Sequence, residues 1–381
     1  MASKRKLEFN PKQKPKRLYL IDGAGFYYRA YYGIRHNLTA ADGTPTNATY
    51  GFATMFRKII RDEKPDAIAI ALDSREKTFR HEMYPEYKAN RDAMPEDLAA
   101  QIPYIERVIK AHNVEILKRP GLEADDLLAC AAQRAVKLGY DVTIVTGDKD
   151  LMQLVTDHVT VLDPLKGKRI DAAAVKERFG VPPELLGDML ALMGDKSDNI
   201  PGVPGVGEKT AQALINEHRN LENVLKNADK IKKPKLRQSL IDHAQDARLS
   251  RTLVELKTDL DMEMDIDSWQ LPEPDAGKLR KLFTELNFKS LLLELAELAE
   301  SAAEPGLPAT RRVVDIGGGK QSEPALPEES PEAPQAKAEY SAVLTQKELK
   351  KLCVLLESSK GFAVDTETTS TEPMNAKLVG L

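Results

Sequence analysis

Short, uninterrupted apolar runs recur through the N-terminal half of the chain, and each leads into acidic residues. Residues 142–145 lead into Asp148 and Asp150, and residues 18–21 lead directly into Asp22. Strands that are buried on both faces of a sheet show such continuous runs, whereas amphipathic helices place apolar residues three and four apart. The longer stretches between the runs have the helical pattern. The pattern therefore predicts an α/β fold with a mostly parallel central sheet flanked by helices.

Two further runs, residues 67–72 and 115–117, end close to acidic residues in the same way. The carboxyl ends of the strands of an open α/β sheet face one crevice, so these acids are expected to lie together. An acidic pair after the predicted helix 185–193 extends the set. The candidates for one acidic site are Asp22, Asp73, Glu123, Asp125, Asp126, Asp148, Asp150, Asp195 and Asp198.

So many carboxylates in one crevice repel one another strongly. Two like unit charges 4 Å apart cost about 4 kcal/mol at an effective dielectric constant near 20. Either several carboxylates stay protonated, or cations neutralise them, and oxygen ligands favour hard ions such as Mg²⁺ or Mn²⁺. Two such ions can hold both the attacking and the leaving oxygen of a phosphate displacement. The set therefore predicts metal-dependent phosphodiester hydrolysis, and no Ser-His-Asp arrangement or Walker loop competes with it.

Residues 74–105 differ in composition from the rest of the chain. Basic side chains alternate there with Phe79, Tyr84 and Tyr87, and Pro85 and Pro95 interrupt any long helix. Basic residues with aromatic residues between them suit a single-stranded nucleic acid whose bases stack on the rings. A surface loop with hydrogen-bonded tyrosines is the alternative, and composition alone leaves it open.

A glycine-rich turn follows the acidic pair at 195–198. Gly202, Gly205 and Gly207 allow the backbone to approach another molecule closely, and the helix that begins near Lys209 and Thr210 offers unpaired N–H groups to a phosphate. The lysine-rich stretch 226–237 either extends this basic surface or is a solvated helix face.

The overall composition adds limits. The chain has 381 residues and a net charge of −4, and 42% of its residues are hydrophobic, so two or more domains are expected. No apolar run approaches the roughly 20 residues of a membrane span, and no signal peptide is apparent. Cys130 and Cys353 are isolated and expected to be reduced. We therefore expect a cytoplasmic protein without a membrane contact and without a zinc site.

The two ends of the chain differ from its centre. Residues 1–16 form a basic extension, read as a solvated tail or a weak DNA contact, and the Pro- and Glu-rich residues 301–339 form a predicted linker. Residues 340–381 begin a further domain, with a helix from about 345 to 358 and a strand before Asp365. Some forty residues are too few for a core, so we expect a fragment of a longer polypeptide.

The order of these motifs resembles the 5′ nuclease (flap endonuclease) superfamily. Within it, residues 17–300 are most similar to the 5′→3′ exonuclease domains of bacterial DNA polymerase I. The residues that carry the resemblance are Asp22, Asp73, the run 123–126, the run 147–150 and the stretch from Gly194 to Gly207. Residues 364–370 resemble the first acidic motif of that polymerase's 3′→5′ proofreading domain, but its partner acids are absent from the sequence.

The resemblance implies a PIN-like 5′ nuclease domain over residues 17–190 with a helical arch at about 80–105, and a helix–three-turn–helix DNA-binding subdomain over 191–300. It implies two Mg²⁺ ions on the nine carboxylates, with Asp22, Asp73, Glu123 and Asp125 around the first, and K⁺ at the glycine turn. Arg80 and Lys88 would contact the scissile phosphate. The implied DNA contacts are Tyr28, Tyr87, Arg91, Gly202, Gly205, Gly207, Lys209 and Thr210.

The implied activity is 5′→3′ exonuclease and flap endonuclease cleavage by a monomer, in RNA primer removal, nick translation and DNA repair. The expected partners are DNA molecules with 5′ flaps, nicks or RNA primers. Polymerase and proofreading activities are not expected of this chain. A PIN-type ribonuclease and a non-catalytic DNA-binding module are the alternative interpretations.

Overall fold

The main unit of the protein is built on one six-stranded sheet. The structure is a computed structural model that describes residues 15–34, 38–303, 367–368 and 378–380. The sheet order is β3-β2-β1-β4-β5-β6, in which β1 to β5 are parallel and β6 is antiparallel to β5. The strands are β1 (Arg17–Asp22), β2 (Ala67–Ala71), β3 (Glu115–Leu117), β4 (Asp141–Val145), β5 (Val159–Asp163) and β6 (Lys168–Ile170).

This sheet confirms the predicted α/β class and the four strands predicted from the apolar runs, β1 to β4. The sequence pattern missed β6, a three-residue strand with two exposed positions, because so short a strand carries no recognisable apolar run. The continuous apolar character of β1 has the expected cause. Leu18 and Leu20 pack into the core on one face of the sheet, while Tyr19 and Ile21 pack into the core on the other.

Helices cover both faces of the sheet. Helices α1, α2, α5 and α13 contribute to the core that contains Tyr19, and α6, α8, α9 and α12 contribute to the core that contains Leu18. The helices are α1 (Gly23–Gly33), α2 (Asn47–Glu63), α3 (Phe79–Met83), α4 (Glu96–Ala99), α5 (Ile102–Ala111), α6 (Ala124–Lys137), α7 (Ala172–Phe179), α8 (Pro183–Met193), α9 (Glu208–His218), α10 (Leu221–Lys226), α11 (Pro234–Asp242), α12 (Ala244–Val254), α13 (Ala276–Glu285) and α14 (Lys289–Ala303).

The basic and aromatic segment is a series of short helices and turns. It comprises α3, a turn over residues 85–90, α4 and the start of α5. Leu98 is completely buried, so α4 is anchored in the core beside α1 and α2. The segment therefore forms a packed rim beside the carboxyl ends of the strands.

A second unit, Thr310–Leu381, is separate from the unit Met1–Ala309. Its described part is an antiparallel pair, β7 (Glu367–Thr368) and β8 (Leu378–Gly380). The expectations for the basic extension, for most of the linker and for the helix at 345–358 lie outside the described residues. Among the described helices, none is both long enough and apolar enough to cross a bilayer.

Candidate active site

The first two acids stand where parallel strands give way to helices. Asp22 is the last residue of β1 and caps α1, because one of its carboxylate oxygens accepts a hydrogen bond from the backbone N–H of Gly25 at 2.9 Å. Asp73 lies two residues beyond β2 and accepts from the N–H of Ala124, the first residue of α6, at 2.8 Å. Each carboxylate keeps a second oxygen for other partners, so capping a helix and serving a site are compatible.

A chain of hydrogen bonds links Asp22 to the loop that follows β4. The hydroxyl of Thr146 donates to Asp22 Oδ2 at 2.9 Å and accepts from the N–H of Asp148 at 3.0 Å. The carboxylate of Asp148 accepts in turn from the N–H of Asp150 at 2.9 Å. The buried Thr146 was not among the predicted site residues, although it lies between β4 and the two acids. Its hydroxyl fixes the path of this loop relative to β1.

These acids surround one cavity of about 290 Å³. A neighbouring cavity of about 250 Å³ shares three of the carboxylates and adds Asp195. Together the two cavities collect eight of the nine predicted acids, as the converging strand ends predicted. The acids are Asp22, Asp73, Glu123, Asp125, Asp148, Asp150, Asp195 and Asp198.

Burial and mutual repulsion disfavour ionisation on one side of the cavity. Burial, together with the charges of Asp73 and Asp148, raises the pKa of Asp22 to about 6. Burial and the neighbouring Asp148 raise the pKa of Asp150 to about 7, and the same causes hold the pKa of Asp125 well above its ordinary range. One oxygen of Asp150 is buried without a hydrogen-bond partner. This side of the cavity would be stabilised by a bound cation.

The opposite side carries positive charge. Lys88 Nζ lies 3.1 Å from Glu123 Oε1 and 3.8 Å from Asp198 Oδ2, and the guanidinium of Arg91 pairs with the other oxygen of Asp198. Burial alone would raise the pKa of Glu123, but Lys88 and Arg80 hold that pKa below its ordinary value. The side chain of Arg91 is half exposed. The predicted residues Lys88 and Arg91 therefore face the cavity with part of their charge available to an anion.

Asp126 lines neither cavity, whereas Arg80 lines the larger one and binds Asp126 there. The guanidinium of Arg80 donates to both carboxylate oxygens of Asp126, at 2.6 and 2.8 Å, and to the carbonyl oxygens of Leu253 and Glu255. Asp126 is completely buried and also accepts from the N–H of Lys257. This arrangement satisfies both groups and corrects the expected metal contact of Asp126 to a buried ion pair, while the phosphate contact of Arg80 stays a prediction.

Tyr87 lines the larger cavity but is nearly buried. It was expected to contact DNA, but it is 3% exposed and its hydroxyl donates to Glu123 at 3.2 Å. It belongs to the buried core beside α6 and supports the acidic residue at the start of that helix. Tyr28 lines the same cavity from α1, where a base could contact it.

The glycine turn separates into a buried part and an exposed part. Gly202 has a φ of 62°, and a Cβ there would lie 2.3 Å from the backbone nitrogen of Gly194. It is buried and its N–H donates to the Ser250 hydroxyl, so its expected DNA contact is corrected to a structural role. Gly205 and Gly207 are exposed with open space around them, and Lys209 is exposed in the first turn of α9.

Two basic residues at the site were missed. Arg29 lines the larger cavity, and its guanidinium lies beside Gly147. Its position four residues after Gly25, on the same face of α1, was the available signal. Lys149 pairs with Asp195 and, with Ser197, holds the pKa of that carboxyl below its ordinary value against the effect of burial.

Comparison with known proteins agrees with this geometry. A family model described as the 5′-3′ exonuclease N-terminal resolvase-like domain matches residues 17–180, and one described as the 5′-3′ exonuclease C-terminal SAM fold matches residues 181–277. A 5′-3′ exonuclease of Aquifex aeolicus is 38% identical over 77% of this chain and 99% of its own length.

A DNA polymerase I of Rhizobium leguminosarum is 36% identical over 97% of this chain, which spans only 41% of the length of that relative. Among solved structures, a bacteriophage T5 flap endonuclease in a complex with DNA and metal ions superposes with a TM-score of 0.55 over 74% of this chain and 100% of the phage protein. At 22% identity, that likeness establishes the fold alone.

Proposed function

Since the chain belongs to the 5′–3′ exonuclease family and is a nuclease of that kind, we propose that it cleaves DNA phosphodiesters at 5′ flaps and nicks. The observation that carries this proposal is the cavity in which buried carboxylates face Lys88 and Arg91. RNA primer removal, nick translation and DNA repair are the processes in which such cleavage serves. Action as a monomer in the cytoplasm is part of the same proposal.

The acidic side of the cavity fits divalent cations. Asp150 has a buried oxygen without a partner, and burial raises the pKa of Asp22, Asp125 and Asp150, which a cation would reverse. Among the described residues, no three Asp, Glu, His or Cys side chains are arranged to hold a bare ion. We therefore propose two Mg²⁺ ions, replaceable by Mn²⁺, that keep several water ligands, as Mg²⁺ commonly does.

The candidate ligands are the eight carboxylates that line the two cavities. When bound, the cations supply Lewis-acid activation of water and neutralise charge on the phosphodiester. The side chains opposite them bind the substrate. Lys88, Arg91 and Arg29 line the cavity and would hold the phosphate, and the packed rim that carries Lys88 limits the entry of other molecules.

The second DNA contact is proposed at the glycine turn. Gly205 and Gly207 leave the backbone accessible, and Lys209 stands in the first turn of α9, whose N–H groups favour a phosphate. Thr210, half-buried in the same turn, would support the contact. Ser239 of α11 donates to the carbonyl oxygen of Pro204 at 2.6 Å, so exposed lysines near α11 continue this surface. A K⁺ ion held by carbonyl oxygens of the turn is part of the proposal.

A labelled flap tests the function. A duplex with a 5′-labelled single-stranded flap should release short products in Mg²⁺, and EDTA should abolish this. Asp148→Asn should reduce cleavage strongly, whereas Asp157→Asn, at an exposed aspartate that lines neither cavity, should not. Undiminished cleavage by the Asp148 variant would overturn the metal assignment. Preference for single-stranded RNA would favour a ribonuclease, and tight binding without turnover would favour a binding module.

A further inference from the structure

Two tyrosines of α1 form a parallel aromatic pair that leads out of the cavity. Tyr28 and Tyr32 are four residues apart on one helix face, with ring planes inclined by 11° and ring centres 6.5 Å apart. Tyr28 lines the cavity, whereas Tyr32 is 66% exposed. Tyr32 is one of the most exposed large hydrophobic side chains in the described part of the protein. The pair therefore connects the acidic site with the molecular surface.

The ring of Tyr32 is held in place although it is exposed. The ring of Tyr31 meets it edge to face, with centres 5.0 Å apart and planes inclined by 77°. The hydroxyl of Tyr31 donates to the carboxylate of Asp97 in α4 at 2.7 Å, which anchors this contact to the rim. An exposed ring that its neighbours hold in one orientation loses little conformational freedom when a planar group stacks on it.

We propose that Tyr32 is a stacking platform for an unpaired nucleobase of the single-stranded 5′ segment, one step outside the cavity. This inference rests on the proposed nuclease function. Successive bases of a strand stack in parallel planes, and Tyr28 and Tyr32 present parallel rings in succession. Bases inside a duplex have both faces covered by their neighbours, so only an unpaired or terminal base can stack on an aromatic side chain.

Charge supports the same partner. Arg29 lies between the two tyrosines in sequence and lines the cavity, and Arg91 lies near enough to Tyr28 to affect its pKa. A strand whose bases stack on the two rings therefore runs close to both arginines, which can contact its phosphates. Aromatic rings combined with such cations suit a single strand without sequence preference.

The test compares Tyr32→Ala, Tyr32→Phe and Tyr32→Trp by equilibrium binding in EDTA. The DNA molecules are a duplex with a five-nucleotide 5′ flap and a nicked duplex without a flap. The alanine variant should bind the flap about 5-fold more weakly, the low end of measured base–aromatic stacking. The phenylalanine and tryptophan variants should bind within two-fold of the unchanged protein. Leu165→Ala, at a residue that is 67% exposed and lines neither cavity, is the control and should not alter binding.

Single abasic sites along the flap locate the base. Removal of the base at one flap position should weaken binding to the unchanged protein. The same removal should not affect binding to Tyr32→Ala, because that base and the Tyr32 ring form one contact. Equal binding of Tyr32→Ala and the unchanged protein to every flap would overturn the inference, as would an equal loss on the nicked duplex. Unchanged thermal unfolding of the alanine variant excludes misfolding as the cause. If the unchanged protein does not cleave a flap in Mg²⁺, the proposed function itself fails.

Discussion

Replacing Arg80 with methionine should destabilise the fold, because Arg80 is the partner of a fully buried carboxylate. Arg80 is 2% exposed and its guanidinium makes its shortest hydrogen bond, 2.6 Å, to Asp126, which is 0% exposed. Methionine is similar in length and has no charge. It would leave the buried carboxyl of Asp126 with the N–H of Lys257 as its remaining described partner.

The expected cost is large relative to the stability of a domain. Removing one partner of a buried ion pair costs about 3–5 kcal/mol, and total stabilities are about 5–15 kcal/mol. At roughly 2–4 °C per kcal/mol for a unit of this size, the melting temperature should fall by about 10 °C. Adding Asp126→Asn to the Arg80 variant should recover part of the loss, because it removes the unpaired charge.

The matched control is an exposed pair of the same geometry. Arg107 binds both carboxylate oxygens of Glu285, at 2.8 and 2.6 Å, but the two side chains are about 40% exposed. Arg107→Met should cost less than about 1 kcal/mol. The comparison therefore contrasts a buried and an exposed arginine–carboxylate pair that share the same two-bond geometry.

Urea unfolding measures the difference. Trp269, the single tryptophan, is 5% exposed and packs in the same core as Leu253, whose carbonyl oxygen accepts from Arg80, so its fluorescence should report this region. Flap cleavage would be measured at a temperature where the Arg80 variant is folded. An Arg80 variant with unchanged stability and a loss of cleavage above about 100-fold would refute the structural role and place the guanidinium at the phosphate.

Three other outcomes follow from the site. Asp125→Asn should stabilise the metal-free protein by about 1 kcal/mol, because a buried and repelled charge is lost. The same variant should lower Mg²⁺-dependent cleavage by at least about 100-fold. Thermal unfolding with and without Mg²⁺ measures the change in stability. In the folded protein the pKa of Asp22 is raised to about 6 and that of Asp150 to about 7, from about 4 when unfolded. The stabilisation by protonation is therefore complete below about pH 4 and is lost as pH rises through 6–7. The free energy of unfolding in EDTA should therefore fall by on the order of 3 kcal/mol between pH 5 and 8. A rise in stability over this range would contradict the raised pKa values of Asp22 and Asp150. Gly202→Ala should destabilise the fold, because the added Cβ would clash with the backbone. Gly205→Val, at a φ of 82° with open space around it, should weaken flap binding before it changes Mg²⁺ affinity. Equal losses of flap binding and Mg²⁺ affinity in the Gly205 variant would contradict this prediction.

Much of the site follows from local sequence because its residues follow parallel strands. Asp22, Asp73 and Asp148 come at or just after strand ends that all point to one edge of the sheet, and the apolar runs mark those strands. Position along the chain is then enough to bring the acids together. The glycine turn was also predictable from local sequence, because a helix follows it directly along the chain.

The direction of individual side chains was harder to predict. Asp125 and Asp126 are adjacent in the first turn of α6, yet the first lines the cavity and the second is buried against Lys257. Residues distant in sequence distinguish them, because Asp126 binds the guanidinium of Arg80 and the N–H of Lys257. The burial of Tyr87 could not be read from local sequence either, because its hydroxyl partner Glu123 lies on another element.

Hydrogen bonds as well as an ion pair join the turn over residues 85–90 to the acidic turn over residues 195–198 and its neighbour Asn199. The backbone N–H of Lys88 donates to the carbonyl oxygen of Asp198 at 2.9 Å. The side-chain amide of Asn199 donates to the carbonyl oxygen of Glu86 at 2.7 Å. Because both bonds use backbone atoms of the basic turn, a replacement turn with a different backbone path would lose them. Chimeric nucleases should therefore exchange the two turns as one cassette.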